Sequence, residues 1–352
     1  MQVPRRKTTL IWTLSVIGLW AAAVVVANPV GAQPLNGEIL FARFVGDAWD
    51  LFSTDPAGSG ATRLTESAAS EGSAVYSPEG SQIAFDSFGR YGSEIHLMNA
   101  EGSNRRPLTK GPFYKFLPQW SPTGDQILYQ ATSDLETDSI IFKIDTDATG
   151  KTMLTGRERI NTQPAWSPDG TKIAYVHSTH GSSDIYVMNA DGTNKRRLTK
   201  SETFETWPAW SPDGREIAFS RHRSGSNSNG YDILAIDLSG RVRPIANRDE
   251  LSEEQPLYSP DGRRISYRGC QGTACGLEVV NAAGTNRRVL VPRGVEGAPP
   301  VWSPDSSQIA YSRLVPANDR FDVFVVEVGS GAISRLTDTR TDESVSSWRS
   351  SS

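Results

Sequence analysis

The sequence predicts an all-β fold, a seven-bladed β-propeller of four-stranded antiparallel blades, and three observations predict it. A phrase of the type Trp166-Ser167-Pro168-Asp169-Gly170, followed by Ile173-Ala174-Tyr175, recurs along the chain. Its opening aromatic appears as Tyr76, Trp120, Trp166, Trp210, Tyr258, Trp302 and Trp348, at gaps of 44, 46, 44, 48, 44 and 46 residues. A period in this range belongs to propeller blades or other stacked units. The third observation is phase: the pattern is entered at a second strand (Ile39) and left just after a first strand (Trp348). Closing the ring then pairs the C-terminal strand with the N-terminal blade and removes the free edges that invite aggregation. A six-bladed ring with one atypical unit is the alternative, but no unit looks spare.

Each unit reads as four strands in order. The first is short and ends on the Trp/Tyr anchor. A Ser-Pro-Asp-Gly turn follows, in which proline presets φ at the second position and glycine supplies positive φ. The second strand has the form Ile-x-aromatic in all seven copies, from Ile39/Phe41 to Ile309/Tyr311. Spacing of two puts both large residues on one sheet face. The third strand is typified by Asp184-Ile185-Tyr186-Val187-Met188-Asn189, and a leucine of the fourth strand follows Ile185 at Leu198. Turns such as Asn189 to Asn194 separate the two. Four short antiparallel strands per unit make one blade.

Composition is that of a globular protein, with 37% hydrophobic and 22% charged residues. The 31 glycines and 21 prolines suit many tight turns. A formal charge of −4 with scattered basic residues gives no basic stripe and argues against nucleic acid as a partner. The N-terminus reads as a leader. Arg5-Arg6-Lys7 precedes an uncharged run of 17 residues, Leu10 to Val26, and Val30-Gly31-Ala32 sets up cleavage before Gln33. An uncleaved membrane anchor is the competing reading of that run. Cleavage after residue 32 removes three of 36 basic and none of 40 acidic residues, leaving a charge of −7. The domain plan is therefore a leader over 1–32 and a propeller over 36–352, exported to the periplasm or beyond. The two cysteines, Cys270 and Cys275, are expected to form a structural disulfide across one short loop.

On Trp-Ser-Pro-Asp-Gly-x-x-Ile-Ala-Tyr and Asp-Ile-Tyr-Val-Met-Asn-Ala-Asp-Gly-Thr-Asn-x-Arg-Arg-Leu-Thr, the chain resembles the WD40-like PD40 repeats of TolB-type propellers, over about residues 36–352. The resemblance implies the propeller fold and an envelope protein. Two departures from TolB itself are expected: nothing corresponds to its N-terminal α/β domain, and seven blades replace six. Similar propellers accompany serine peptidases and oligogalacturonate lyases, so the fold alone leaves function open.

Catalytic signatures are missing. There is no Gly-x-Ser-x-Gly, His-Glu-x-x-His or Gly-x-Gly-x-x-Gly. No catalytic residue, metal ligand or cofactor is assigned. Asp145 to Gly150 imitates the start of a calcium loop but has Gly156 where the bidentate glutamate belongs. His177, His180 and His222 fall in loops on one ring face, while His96 lies inside a third strand. The acidic residues that open third strands (Asp50, Glu94, Asp184, Asp232, Asp322) recur in place and read as structural acceptors for the backbone of the hairpin before them.

Five residues before each anchor stand Glu71, Lys115, Asn161, Glu205, Glu253, Gly297 and Glu343. These open the innermost strands and should circle one mouth of the central channel. The ring is either a negatively focused site for a cation, amine or basic segment, or a set of caps for individual blades. The irregular loops of the same face supply Phe113, Tyr114, Phe116, Arg157, Trp207, Arg221, His222 and Arg223 as candidate contacts, since loops on a rigid scaffold carry most recognition. Those aromatics would form either an exposed patch or a plug in the channel. The expectation is a monomeric, non-enzymatic propeller that binds a protein or glycan at the envelope. It would touch membrane only if Leu10–Val26 stays uncleaved. A metal-assisted polysaccharide lyase or hydrolase using the channel, and a membrane-anchored sensor ectodomain, are the alternatives.

Overall fold

A computed structural model describes residues 36–351, apart from 91, 134–137, 158, 225–229 and 318. The leader over 1–32, with both readings of it, lies outside the described residues. Seven four-stranded antiparallel sheets follow one another around a ring, and the described residues contain no helix. From channel to rim, blade one consists of Glu343–Ser350, Asn36–Val45, Ala48–Thr54 and Ala61–Arg63. Blades two to six begin with inner strands Ser70–Tyr76, Tyr114–Trp120, Ile160–Trp166, Glu205–Trp210 and Ser252–Tyr258. Blade seven begins with Val301–Trp302 and ends with Ile333–Arg335. The C-terminal strand closes the ring, with Trp348 opposite Ile39 and Val345 opposite Phe41.

The core lies between blades. The Ile-x-aromatic pairs of the second strands are fully buried, as Ile83, Phe85, Ile127, Tyr129, Ile309 and Tyr311 show. They pack with their neighbours into seven apolar layers. Each such side chain taken from water contributes about 1.5–3 kcal/mol. The anchors add a polar contact at the same seams. Trp120, Trp210 and Trp302 donate Nε1–H to the carbonyls of Val75, Ala165 and Leu257, each on the preceding blade's inner strand, at 3.1, 3.1 and 3.2 Å.

Every Ser-Pro turn closes in the same way. The serine hydroxyl accepts the N–H five residues on, as Lys172 N–H donates to Ser167 Oγ at 2.9 Å. Gly170 takes φ +68° and lies against the previous blade's Pro122; a Cβ there would sit 3.6 Å from its Cδ. Outer strands are tied in by a Leu-Thr step. Thr65, Thr109, Thr155, Thr199 and Thr337 each accept a third-strand N–H at 2.9 Å. Blades five and six have Ala246 and Val291 there instead.

Candidate functional site: the channel mouth and its loop face

The fourth-to-first and second-to-third strand loops gather on one face, where the inner strands begin. The residues predicted to ring the mouth stand at those strand starts, but their side chains are buried: Glu205 and Glu253 are 0% exposed and Lys115 is 1% exposed. Each is engaged. Arg221 lies opposite Glu205 on the second strand and reaches Oε1 with Nε and Nη2, both at 2.7 Å. Arg43, opposite Glu343, holds it through Nε at 2.7 Å. Blade six has Gly269 opposite Glu253, and Arg248 from the preceding loop supplies the guanidinium at 2.7 Å. Arg105 meets Glu71 at 2.5 Å. Lys115 turns to Glu94 (2.9 Å) and the Gly111 carbonyl (2.6 Å), and Asn161 Oδ1 meets His177 Nδ1 at 2.8 Å.

These residues also join blades. Thr199 and Thr337 donate their hydroxyls to the Glu205 and Glu343 carboxylates of the next blade. Burial outweighs the arginines and pushes the carboxyls of Glu205, Glu253 and Glu343 above the usual glutamate range. The geometry is that of inter-blade latches, with their charge neutralised where they stand. The acidic openers of third strands are bound differently from the expectation. Asp50, Asp184 and Asp322 pair with the arginine thirteen residues on, Arg63, Arg197 and Arg335. Asp184 also accepts the Ser201 N–H at 2.8 Å, from the loop after its outer strand rather than the hairpin before it.

The loop residues divide. Phe116 (6% exposed) and Trp207 (9%) belong to inner strands and are buried, so they present no surface patch. Trp207 sits at a strand bulge with φ +60° and donates its N–H to Gln163 Oε1 at 2.6 Å. Arg221 is spent on Glu205, and Arg223 on Asp232 and the Arg248 and Leu251 carbonyls. His222 packs edge-on against Tyr231, 5.2 Å between centroids. Cys270 and Cys275 form a disulfide across the second-to-third strand hairpin of blade six. Burial, reinforced by Arg105, moves His96 down to about 4, and burial also lowers His177. Among the described residues, no group of three His, Cys, Asp or Glu side chains is placed to hold a metal ion.

Phe113 and Tyr114 do reach the face, half-buried, and Arg157 from the next loop lies over the Phe113 ring at 5.0 Å. Two further residues continue this surface. Ile160 and Phe204 are 37% and 44% exposed and stand, like Tyr114, one position before the ring residue of their blade. Blades three, four and five thus each carry an apolar residue at the same position of the mouth. The same position on blades six, seven and one holds Ser252, Glu296 and Asp342. The mouth is apolar on one half and polar to acidic on the other. Sequence reading passed over Ile160 because an apolar residue at a strand start reads as core.

Comparison with known proteins fits this architecture. The TolB beta propeller domain model, PD40, matches residues 92–228. A TolB homolog of Chlorobium luteolum is 36% identical over 138 residues, which cover 39% of this chain and 31% of that protein. The curated relatives it matches are spanned over 20% to 53% of their length. The crystal structure of TolB from Acinetobacter baumannii superposes with a TM-score of 0.56 at 23% identity, over 74% of this chain and 65% of that one. An oligogalacturonate lyase in complex with manganese gives a TM-score of 0.70 at 16% identity, over 83% and 86%. At these identities both structures speak to fold alone. With its PD40 match over residues 92–228 and its ring of seven four-stranded blades, the chain is a β-propeller similar to the TolB-type propellers of PD40 repeats.

Proposed function

We propose that the protein is an exported, non-enzymatic propeller that binds a protein partner at the cell envelope through the apolar half of its channel mouth. The observation that carries this reading is the run of Tyr114, Ile160 and Phe204 on three successive blades, flanked by Phe113 under Arg157. Exposed aromatic and arginine side chains grouped on a rigid face are the composition of binding hot spots. Burying Ile160 and Phe204 in the ring itself would be cheaper for a propeller with no partner, and the sequence keeps them in water at equivalent positions of adjacent blades. Arg157 is exposed beside them and meets polar or acidic groups on what docks. The TolB names of the relatives and the leader read over 1–32 support an envelope location. The alternative of a channel lyase lacks support from the histidines, since His177 is bonded to Asn161 and His222 is packed on Tyr231.

The test is crosslinking in the native host. Wild-type protein and an Ile160→Asp/Phe204→Asp variant are purified after crosslinking and compared. The wild type should carry a stoichiometric protein partner that the variant loses, at unchanged melting temperature. The same crosslinked partners on both proteins would sink the proposal.

A further inference from the structure

Blade seven departs from its neighbours at three linked positions. Its ring position is Gly297, with φ +78° and no side chain, where the other blades have a buried charged or polar latch. Two residues on it has Pro299, which carries no N–H. In four other blades that position donates an N–H to a neighbouring side chain: Leu117 to Asp86, Trp207 to Gln163, Gln255 to Ser220 and Val345 to Ser312. Its inner strand, Val301–Trp302, is two residues long, against six to eight elsewhere. The seam between blades six and seven is therefore without the latch that closes the others.

The blade-six residue that the register assigns to this seam is Arg268. It lies opposite Glu254, at the position that holds Asp86, Ser220 and Ser312 in blades two, five and seven. Those three are acceptors for the N–H groups just named. Arg268 is a donor only, and Pro299 gives it nothing to replace. Its side chain makes no hydrogen bond or ion pair among the described residues, and its Nε is shut off from solvent without a partner. Glu254 and Glu296 act on it through space, but burial outweighs them and lowers its pKa. The residue is half-buried, and of its guanidinium nitrogens only Nε is closed off in this way. On the side towards blade one, Gly297 meets only Ser312 of its own blade and Ser344, at 3.9 and 4.0 Å from a Cβ placed there.

We propose that this seam is a carboxylate subsite, in which Arg268 takes an acidic side chain or the chain terminus of the polypeptide seated on the mouth. The proposal rests on the reading of the mouth as a protein-binding face and adds a charge requirement to it. A guanidinium presents parallel N–H donors that match a carboxylate, and such bonds gain strength where water is thinned.

The experiment has two arms. In the first, the Nε–Hε resonance of Arg268 in the full chain, assigned by its loss in Arg268→Lys, is followed during titration with acetate and separately with acetamide. Acetate should shift it saturably and acetamide should not. Glu254→Gln and Glu296→Gln should each tighten the acetate response by removing a competing charge. Equal shifts with both probes, or none, overturn the subsite. In the second arm, Arg268→Gln should cut recovery of the crosslinked partner at least tenfold with the melting temperature unchanged. Full recovery from Arg268→Gln while Ile160→Asp/Phe204→Asp abolishes it removes the subsite and leaves the mouth reading intact. A saturable acetate shift with recovery insensitive to the mouth variant removes the mouth reading instead.

Discussion

At the scale of single residues, the glutamates that open the inner strands show why a charge at a channel mouth need not be a ligand site. Glu205 is completely buried, yet it accepts hydrogen bonds from Arg221, Thr199 and the Ile185 N–H, so its charge is used within the ring. Its folded pKa lies above the unfolded value of 4.5 because burial wins over these donors. A raised carboxyl contributes stability that is fully present below about pH 4.5 and is lost as pH rises through the folded pKa. Replacing Glu205 with Gln removes that titration. The variant's stability should therefore change less than the wild type's as pH rises from 4.5 towards neutrality. Relative to the wild type it therefore gains stability over that range, set against a pH-independent loss of the hydrogen bonds from Arg221 that a Gln does not accept as well. Urea unfolding at several pH values measures both effects. A wild-type pH profile retained by the variant would assign the titration to other groups.

At the scale of strands and turns, what could be read from sequence was what is local. Ser-Pro-Asp-Gly specifies its turn within five residues, and Ile-x-aromatic specifies a buried face within three, so seven repeats gave seven blades in the right phase. The latches were not legible, because the arginine for each glutamate comes from a different distance: Arg221 sixteen residues on, Arg248 five residues before, Arg43 three hundred residues away. Only the register joins them. The bulges were equally hidden. Leu117 and Trp207 take φ +56° and +60°, which bulky residues rarely adopt, and this turns two of the four rings of the expected patch, Phe116 and Trp207, into the wall. The threonine of the Leu-Thr step, by contrast, was in plain view and went unused. Thr199→Val removes an acceptor for the Ile185 N–H and a donor to Glu205, and should cost about 1–3 kcal/mol. Ala246→Thr, at one of the two blades that lack the hydroxyl, should not restore that loss. Denaturant midpoints of the two single variants and the pair decide it: recovery in the double variant would show that the threonines act on ring closure generally rather than on their own seams.

At the scale of the whole molecule, stability depends on closure, because each blade buries its apolar face only against the next. The strand Glu343–Ser350 completes blade one and places Val345 and Trp348 in the layer shared with Val301, Ala310 and Val323 of blade seven. That layer is the seam where the chain's two ends meet, and it is held by pairing between residues some three hundred positions apart. Closing such a long loop late is costly in chain entropy, though the cost grows slowly with length. Once made, the contact removes the edges of blade one and covers the flank of blade seven. Ending the chain at Asp342 should therefore do more than subtract one strand. It uncovers the second strand of blade one as a free edge and exposes Ile39, Phe41 and Val323, all fully buried in the intact ring. The truncated protein should lose cooperative unfolding and associate through that edge. A synthetic peptide of residues 343–352 added in trans should restore the monomer, whereas a peptide with Trp348→Ala and Val345→Ala should not. Size-exclusion chromatography with thermal unfolding reads the outcome. A truncated protein that stays monomeric and melts as sharply as the full chain would show that the other six seams hold the ring without its closing strand.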